Sequence, residues 1–216
     1  MEAMQFRDRR EAGQILAERL RVLQEKGALP EPVVLALPRG GVIVADEVAR
    51  ALQAPLDVLV ARKIGAPFQP ELGVGAIAGD DAPLFDKRTL DQLGLSEAEL
   101  APVVAREREE LHRREQLYRQ GRPAPELEGH TAVVVDDGVA TGVTARAALR
   151  SLHQQHPERI ALAVPVCSPE AFSLLRHEAD DVVCLDRPSP FTAVGLWYED
   201  FEQVTDDDVL AVLRRQ

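Results

Sequence analysis

The run Thr131-Ala-Val-Val-Val-Asp-Asp-Gly-Val-Ala-Thr-Gly-Val-Thr144, continuing into Ala145-Arg-Ala-Ala-Leu-Arg-Ser-Leu152, leaves few folds open to this chain. Ala132 to Val135 are apolar and mostly β-branched, as suits a strand buried on both faces of a parallel sheet. Carboxylates, glycines and threonines then fill a sharp turn, and the alanine- and leucine-rich segment after it has good helix propensity. The pattern predicts strand, anion loop, helix. In an open α/β sheet ligands bind beyond the carboxyl ends of the strands, where helix N-termini direct free N–H groups and partial positive charge outward.

The order of residues in the loop narrows the ligand. No lysine occurs between Thr131 and Leu152, so this is not the lysine-bearing loop of nucleoside-triphosphate enzymes. Two acids come first, and a cradle of Thr141, Gly142 and Thr144 follows. Carboxylates accept hydroxyl protons, whereas hydroxyls and glycine backbone surround an anion. A sugar with vicinal hydroxyls on one side and a phosphate on the other, as in ribose 5-phosphate, matches that order.

At these residues the sequence resembles the type I phosphoribosyltransferases, whose signature is an apolar strand, two acids and then Thr-Gly-x-Thr. The resemblance implies an α/β fold with a central, mostly parallel sheet flanked by helices and a small C-terminal hood. It implies that Asp136 and Asp137 hold the 2- and 3-hydroxyls of phosphoribosyl diphosphate. The 5-phosphate would lie within the run Gly138, Ala140, Thr141, Gly142, Val143 and Thr144. Mg2+ is implied as cofactor, bridging diphosphate and ribose oxygens, with Asp136 and Asp137 reaching it through the hydroxyls or water. The implied reaction moves ribose 5-phosphate to a nitrogenous base or related amine and releases diphosphate.

Composition excludes other classes. The 216 residues, 45% hydrophobic, suffice for one domain with a full core, and we expect a single domain over residues 1–216. No apolar run approaches the roughly 20 residues that span a bilayer. The start, Met1 to Arg10, has no apolar core behind its charges, so it does not read as a secretory signal, and we expect a cytoplasmic protein with no membrane partner. A net charge of −11 argues against a general nucleic-acid binder. Cys167 and Cys184 lie in apolar runs without metal-ligand spacing and are expected as buried free thiols.

Taken in order, Arg7 to Lys26 places Ala12, Ile15, Leu16, Leu20 and Leu23 on one helical face. Val33 to Leu37 reads as a strand, Pro38-Arg39-Gly40-Gly41 as a loop, and Val42 to Leu52 as a helix. This second strand–glycine loop–helix unit resembles the family's diphosphate loop, with Gly40 and Gly41 against the substrate. Arg39 is assigned to the diphosphate, because guanidinium offers planar, permanently charged donors. Leu56 to Ala61 is the next strand expected, and Arg62 to Glu71 is expected as an electropositive mobile loop. The family's flexible loop lies in this region, so Lys63 joins Arg39 as a candidate catalytic residue on the diphosphate. Gly73 to Gly79 lacks the spacing of a dinucleotide fingerprint and reads as a strand pairing near Pro83 to Asp86.

Ser96 opens a capping box and a charged helical insertion to Gln120, with pairs Arg106/Glu110, Glu109/Arg113, Glu110/Arg114 and Glu115/Arg119 at i, i+4. Its thin apolar seam, Leu100, Val104, Leu111 and Tyr118, would pack on the domain or on a second subunit, which leaves a homodimer open. Arg159 to Val166 and Asp181 to Leu185 are further strands, with a helix at Pro169 to His177 between them, an alternation typical of a doubly wound sheet. Residues 187–205 would contribute the hood. There Phe191 and Val194-Gly195 resemble the base-stacking element of purine-using members, while Trp197 and Tyr198 have no counterpart. Asp206 to Asp208 reads as the start of a terminal helix.

One departure from the family pattern is Ala140, where many purine-using members carry an aspartate that meets the base. Two rivals to a transferase therefore stand: a non-catalytic phosphoribosyl-diphosphate-binding regulator, and a hydrolase using Asp136 and Asp137 as direct metal ligands.

Overall fold

A computed structural model describes residues 5–215; Met1 to Met4, which open the N-terminal stretch read above, and Gln216 lie outside the described residues. The elements run α1 (Arg9–Glu25), β1 (Pro32–Ala36), α2 (Gly41–Leu52), β2 (Leu56–Val58), β3 (Ala61–Ala66), β4 (Gln69–Ala78), β5 (Leu84–Phe85), α3 (Lys87–Leu93), α4 (Glu97–Arg119), β6 (Thr131–Val135), α5 (Val143–His153), β7 (Arg159–Val166), α6 (Pro169–Leu175), β8 (Asp181–Asp186) and α7 (Asp206–Leu213). One turn of 3-10 helix, Val194–Trp197, precedes α7.

Five strands form a wholly parallel sheet in the order β2-β1-β6-β7-β8. Alternate residues feed opposite layers. Val34, Ala36, Val133, Val135, Ala161 and Ala163 join the core under α1, α2, α4 and α7, whereas Val33, Leu35, Ala132, Val134, Ile160 and Leu162 face α5 and α6. Burial on both faces is why these strands are continuous apolar runs rather than alternating ones.

The order of succession across the sheet reverses between β1 and β6: from β1 it proceeds to β2 on one side, and from β6 to β7 and β8 on the other. Such a switch point leaves a crevice at the carboxyl ends, because the two connections depart to opposite faces. Ala36, Val135 and Ala163 are in register, so the loops after β1, β6 and β7 emerge side by side.

The sequence expectations need four corrections. Leu56 to Ala61 is not one strand: β2 ends at Val58, and the expected mobile loop from Arg62 is instead β3, paired antiparallel with β4. Gly65 tolerates no side chain there, since a Cβ would meet Pro70 backbone, so the glycine that suggested a loop serves close strand packing. β5 completes this three-stranded sheet, which packs on α5 through Ala76, Ala78 and Ala147. Second, α3 had no counterpart in the sequence reading; it is capped by Asp86, whose carboxylate accepts from Thr89 N–H, and closed by Gly94 at φ 65°.

Third, of the four pairs expected along α4 only Glu110/Arg114 forms, at 2.8 Å. Other charges of the helix look outward from it: Arg119 reaches Asp57 at 3.0 Å, and Glu107 draws Arg62 to 2.6 Å. The capping box of Ser96 and Glu99 does form, and Leu100, Val103, Leu111 and Tyr118 are buried in this domain's own core, with Val104 only partly buried. Fourth, Ile15 is 39% exposed although Leu16 and Leu20 on the same helix are fully buried. Both cysteines are free, Cys167 buried and Cys184 half-buried.

Candidate active site

Seven α-helices lie among the described residues, and five begin with a side chain on their first N–H groups: Asp8, Asp86, Ser96, Ser168 and Thr205. The exceptions are α2 and α5, whose N-caps are Gly40 and Gly142. These two follow β1 and β6 and border the crevice. A helix start without a capping side chain presents a partial positive charge to an anion, although at α2 the Val42 and Ile43 N–H groups turn back to Arg39 O at 3.1 Å and Gly40 O at 3.2 Å.

Gly142 sits at φ 78°, a left-handed conformation that only glycine adopts cheaply, and it turns the chain from the loop into α5. The loop before it is tied to the neighbouring strand. Val139 N–H donates to Val166 O at 2.9 Å, and Ser168 returns its N–H to Val139 O at 2.9 Å and its hydroxyl to Ala140 O at 2.6 Å. Ser168 also caps α6, so one buried residue fixes two elements. Thr141 and Ala140 are exposed, and Val143 and Thr144 half-buried, at the mouth of α5. A cavity of about 550 Å3 adjoins them, walled by Thr141, Val143, Leu84, Phe85, Arg88 and Arg146.

The acids are held tightly. Asp137 N–H donates to Asp136 Oδ1 at 2.8 Å, and Arg9 Nε approaches Asp137 Oδ2 at 2.7 Å with both side chains nearly buried. Burial, reinforced by the charge of Asp137, pushes the Asp136 carboxyl well above its ordinary range. Burial raises Asp137 too, against the pull of Arg9. Tyr198, its own hydroxyl pushed up by burial, donates to Asp137 O at 2.5 Å.

The β1–α2 loop comes directly against this pair. A Cβ on Gly40 would strike Asp137 Oδ2, and one on Gly41 would lie 2.8 Å from Val135 O and 2.9 Å from Asp136 Cα. The glycine pair is thus a matter of space. Arg39 stands at the tip, about a third exposed, with Nη1 at 3.8 Å from Asp206 Oδ1 at the start of α7. The Pro38–Arg39 peptide bond is cis.

The hood closes the other side. Gly138 lies under Val194, whose Cγ1 would be 2.6 Å from an added Cβ. Phe191 stacks on Trp197 at 6.2 Å between centroids. The structure therefore brings Asp136, Asp137, Gly40, Gly41, Gly138 and Gly142 together, with Arg39 and Phe191 at the margins. Lys63 is turned elsewhere: in β3 it donates to Glu71 O at 3.0 Å within its own hairpin. Arg9 and Tyr198 were missed by the sequence reading. They lie 128 and 61 residues from Asp137, and no local spacing connects them.

Strand, acid pair, uncapped helix and glycine loop at one switch point define a phosphoribosyltransferase-type domain, and the chain belongs to the phosphoribosyl transferase domain family, whose model matches residues 5–199. Two Mycobacterium tuberculosis proteins (strains CDC 1551 / Oshkosh and ATCC 25618 / H37Rv), each with a provisional phosphoribosyl transferase name, are 46% identical over 210 residues, or 97% of this chain. The chain spans about half of those relatives' length, 46%. The solved structure of TT1426 from Thermus thermophilus is 46% identical, covers 98% of this chain and 99% of its own, and superposes with a TM-score of 0.80. AQ2163 of Aquifex aeolicus shares the fold alone, at 12% identity and a TM-score of 0.52 over 82% of this chain and 73% of its own. Among the described residues no helix is long and apolar enough to cross a membrane.

Proposed function

We propose that this chain transfers ribose 5-phosphate from phosphoribosyl diphosphate to a nitrogen acceptor. The observation that carries this reading is the convergence of the acid pair with two helix starts free of capping side chains at the switch point between β1 and β6. Each part of the donor then has a matching surface. The Asp136 and Asp137 carboxylates take the ribose hydroxyls, the turn Ala140 to Thr144 with the start of α5 takes the 5-phosphate, and the Arg39-Gly40-Gly41 loop with α2 takes the diphosphate.

In the reaction the C1–O bond to diphosphate breaks, the leaving group takes the electron pair, and a C1–N bond forms as the acceptor gives up a proton. The transition state is a cationic sugar, so the chain's work is positioning and stabilising the departing charge. Arg39 neutralises charge growing on the leaving oxygens, and Phe191 with its Trp197 stack offers an apolar face to a planar acceptor.

Mg2+ fits the donor set in one manner. Among the described residues no group of three or more His, Cys, Asp or Glu is placed to hold a metal, whereas Mg2+ is commonly bound by one or two carboxylates plus substrate oxygens. Asp136 and Asp137 would hold it through the substrate, and it would supply charge neutralisation of the diphosphate. The rival of a phosphoribosyl-diphosphate-binding regulator draws support from Ala140, an exposed methyl where an acceptor would meet an acid.

Calorimetric titration and diphosphate release test the assignment together. Phosphoribosyl diphosphate with Mg2+ is expected to bind the parent. Arg39→Ala is expected to weaken it by about 10- to 150-fold, the 1.5 to 3 kcal/mol of a charge-assisted hydrogen bond, while sparing ribose 5-phosphate. Equal weakening of both ligands would remove Arg39 from the diphosphate. Diphosphate release in a panel of purines, pyrimidines and amines separates transferase from regulator.

A further inference from the structure

Arg9 lies outside every element that the sequence assigned to the substrate, yet it makes the closest charged contact in the site. Its Nε meets Asp137 Oδ2 at 2.7 Å, its Nη1 donates to Glu202 O at 2.8 Å, and its guanidinium lies 3.8 Å over the Phe201 ring. The contact with Asp137 is made through Nε on one edge of the guanidinium, while Nη1 on the other side is spent on the backbone of Glu202. The Phe201 ring lies against Gly195, where any side chain would clash with it, and packs on Tyr198 at 5.1 Å between centroids.

The N-terminal segment and the hood form one unit around this arginine. Phe6 N–H donates to Trp197 O, Glu199 N–H to Phe6 O and Asp200 N–H to Arg7 O, each at 2.8 Å, while Phe6 packs on Tyr198 at 5.5 Å between centroids. Tyr198 then reaches Asp137 O. Asp137 is therefore gripped twice from this unit, at its carboxylate and at its carbonyl, and Gly40 of the β1–α2 loop closes on the same carboxylate oxygen. A carboxylate on a loop has two free torsions; here Arg9 and the approach of Gly40 restrict the carboxylate, and Tyr198 holds the backbone that carries it.

We propose that Arg9 is a positioning residue that sets the Asp137 carboxylate for recognition of the ribose hydroxyls, and that the hood is anchored to the sugar site through it. This rests on the ribose assignment made above. Arg9 touches Asp137 rather than the sugar, so its removal acts on what Asp137 can recognise. In this arrangement Asp137 takes the 2-hydroxyl and Asp136 the 3-hydroxyl, so ligands that carry the 2-hydroxyl lose affinity and 2-deoxy ligands do not.

The test compares ribose 5-phosphate with 2-deoxyribose 5-phosphate by calorimetric titration of the full chain, with inorganic diphosphate as a third probe. The parent is expected to prefer the ribose compound by tenfold or more, about the worth of one hydrogen bond to a charged group. In Arg9→Gln the preference is expected to fall to within about threefold, with 2-deoxyribose 5-phosphate and diphosphate binding as in the parent. Arg9→Lys keeps the charge beside Asp137 and is expected to retain most of the preference. A merely structural arginine would weaken all three ligands together, and that result overturns the proposal, as does an undiminished preference in folded Arg9→Gln. If Arg9→Gln does not fold, Arg9→Met, which keeps the stem over Phe201, carries the same expectation; if neither folds, Arg9→Lys showing parental preference supports the role and its losing affinity for all three probes overturns it. A parent that binds no sugar phosphate defeats the ribose assignment itself, an outcome distinct from failure of the Arg9 role alone.

Discussion

The loops after β1 and β6 do the same structural work with opposite chemistry. Both leave a buried parallel strand, turn through glycine and enter a helix whose start no side chain caps. At Gly40 and Gly41 the backbone is ordinary, and glycine is required because another loop occupies the space of a side chain. At Gly142 the space is tight but not closed, with Ala171 Cβ the nearest atom at 3.3 Å from an added Cβ, and the stronger demand for glycine is φ 78°. The first loop carries an arginine partly open to water, the second a largely enclosed pair of acids. A glycine in such a motif thus has two separable reasons, and the charge of the loop sets which part of a ligand it meets.

The largest effect expected is at Gly40. Gly40→Ala drives a methyl into Asp137 Oδ2, so the carboxylate must leave Arg9 or the β1–α2 loop must shift. Overpacking of this kind costs about 1 to 3 kcal/mol, and displacement of Asp137 should also abolish the phosphoribosyl-diphosphate-dependent rise in melting temperature. Gly142→Ala is expected to cost about 1 to 2 kcal/mol, the strain of a left-handed alanine, while leaving Asp136 and Asp137 in place. Urea unfolding of both variants with a ligand-induced melting shift checks the pair. If Gly142→Ala abolishes the shift and Gly40→Ala retains it, the distinction between space and conformation is wrong.

That distinction also marks what was legible in the sequence. The β6 motif and the glycine pair were readable because their reasons are local: apolar strand, acid, glycine and helix succeed one another within a short stretch of chain. The parallel sheet followed from the same alternation. Arg9 was not legible, because its partner is 128 residues away and the residue otherwise reads as one more charge in a polar helix start. Tyr198 had no counterpart in the family pattern; its hydroxyl bond to Asp137 O depends on how the hood folds back. The β3 strand was mistaken for a loop because its glycine and the prolines after it carry turn propensity, which pairing with β4 overrides. Local chemistry located the ligand loops, and long-range contacts decided what holds them.

A smaller effect sharpens the contrast between the cationic loop and the acidic one. Asp136 is raised by burial and by Asp137, so the folded protein holds that proton more strongly than the unfolded chain, whose carboxyl titrates near the ordinary 3.8. For a carboxyl raised in the folded state, stability is lost as pH rises from the unfolded value toward the folded one. Asp136→Asn has no proton to lose and keeps an oxygen to accept from Asp137 N–H. The ligand-free variant is therefore expected to melt above the parent at pH 8, with the difference shrinking toward pH 4, although it binds phosphoribosyl diphosphate more weakly. Melting curves across that range check the sign; a variant less stable than the parent at pH 8 would show that ionised Asp136 is held favourably.

The smallest expected change is at Ala140, and it asks where the acidic loop stops being ligand-facing. The backbone there is pinned, with Ala140 O accepting the Ser168 hydroxyl at 2.6 Å, while the methyl is exposed. Ala140→Asp should leave the fold unchanged and add one solvated charge near the phosphate turn. At about 8 Å in water-like surroundings each unit pair costs about 0.5 kcal/mol, so a doubly charged 5-phosphate would be weakened by about 1 kcal/mol, roughly fivefold. If Ala140 instead faced the cradle itself, desolvation and a shorter distance would raise that loss to about a hundredfold or more. The new carboxylate also stands where an acceptor's ring nitrogen would need a partner, and general acid–base help is worth about 10²- to 10⁴-fold when geometry allows. Dissociation constants of phosphoribosyl diphosphate for parent and Ala140→Asp, with transfer rates to hypoxanthine and guanine, read both quantities. A fivefold weakening with new purine transfer would place Ala140 beside the acceptor, whereas a hundredfold weakening with none would place it in the phosphate cradle and return the loop's whole length to the sugar phosphate.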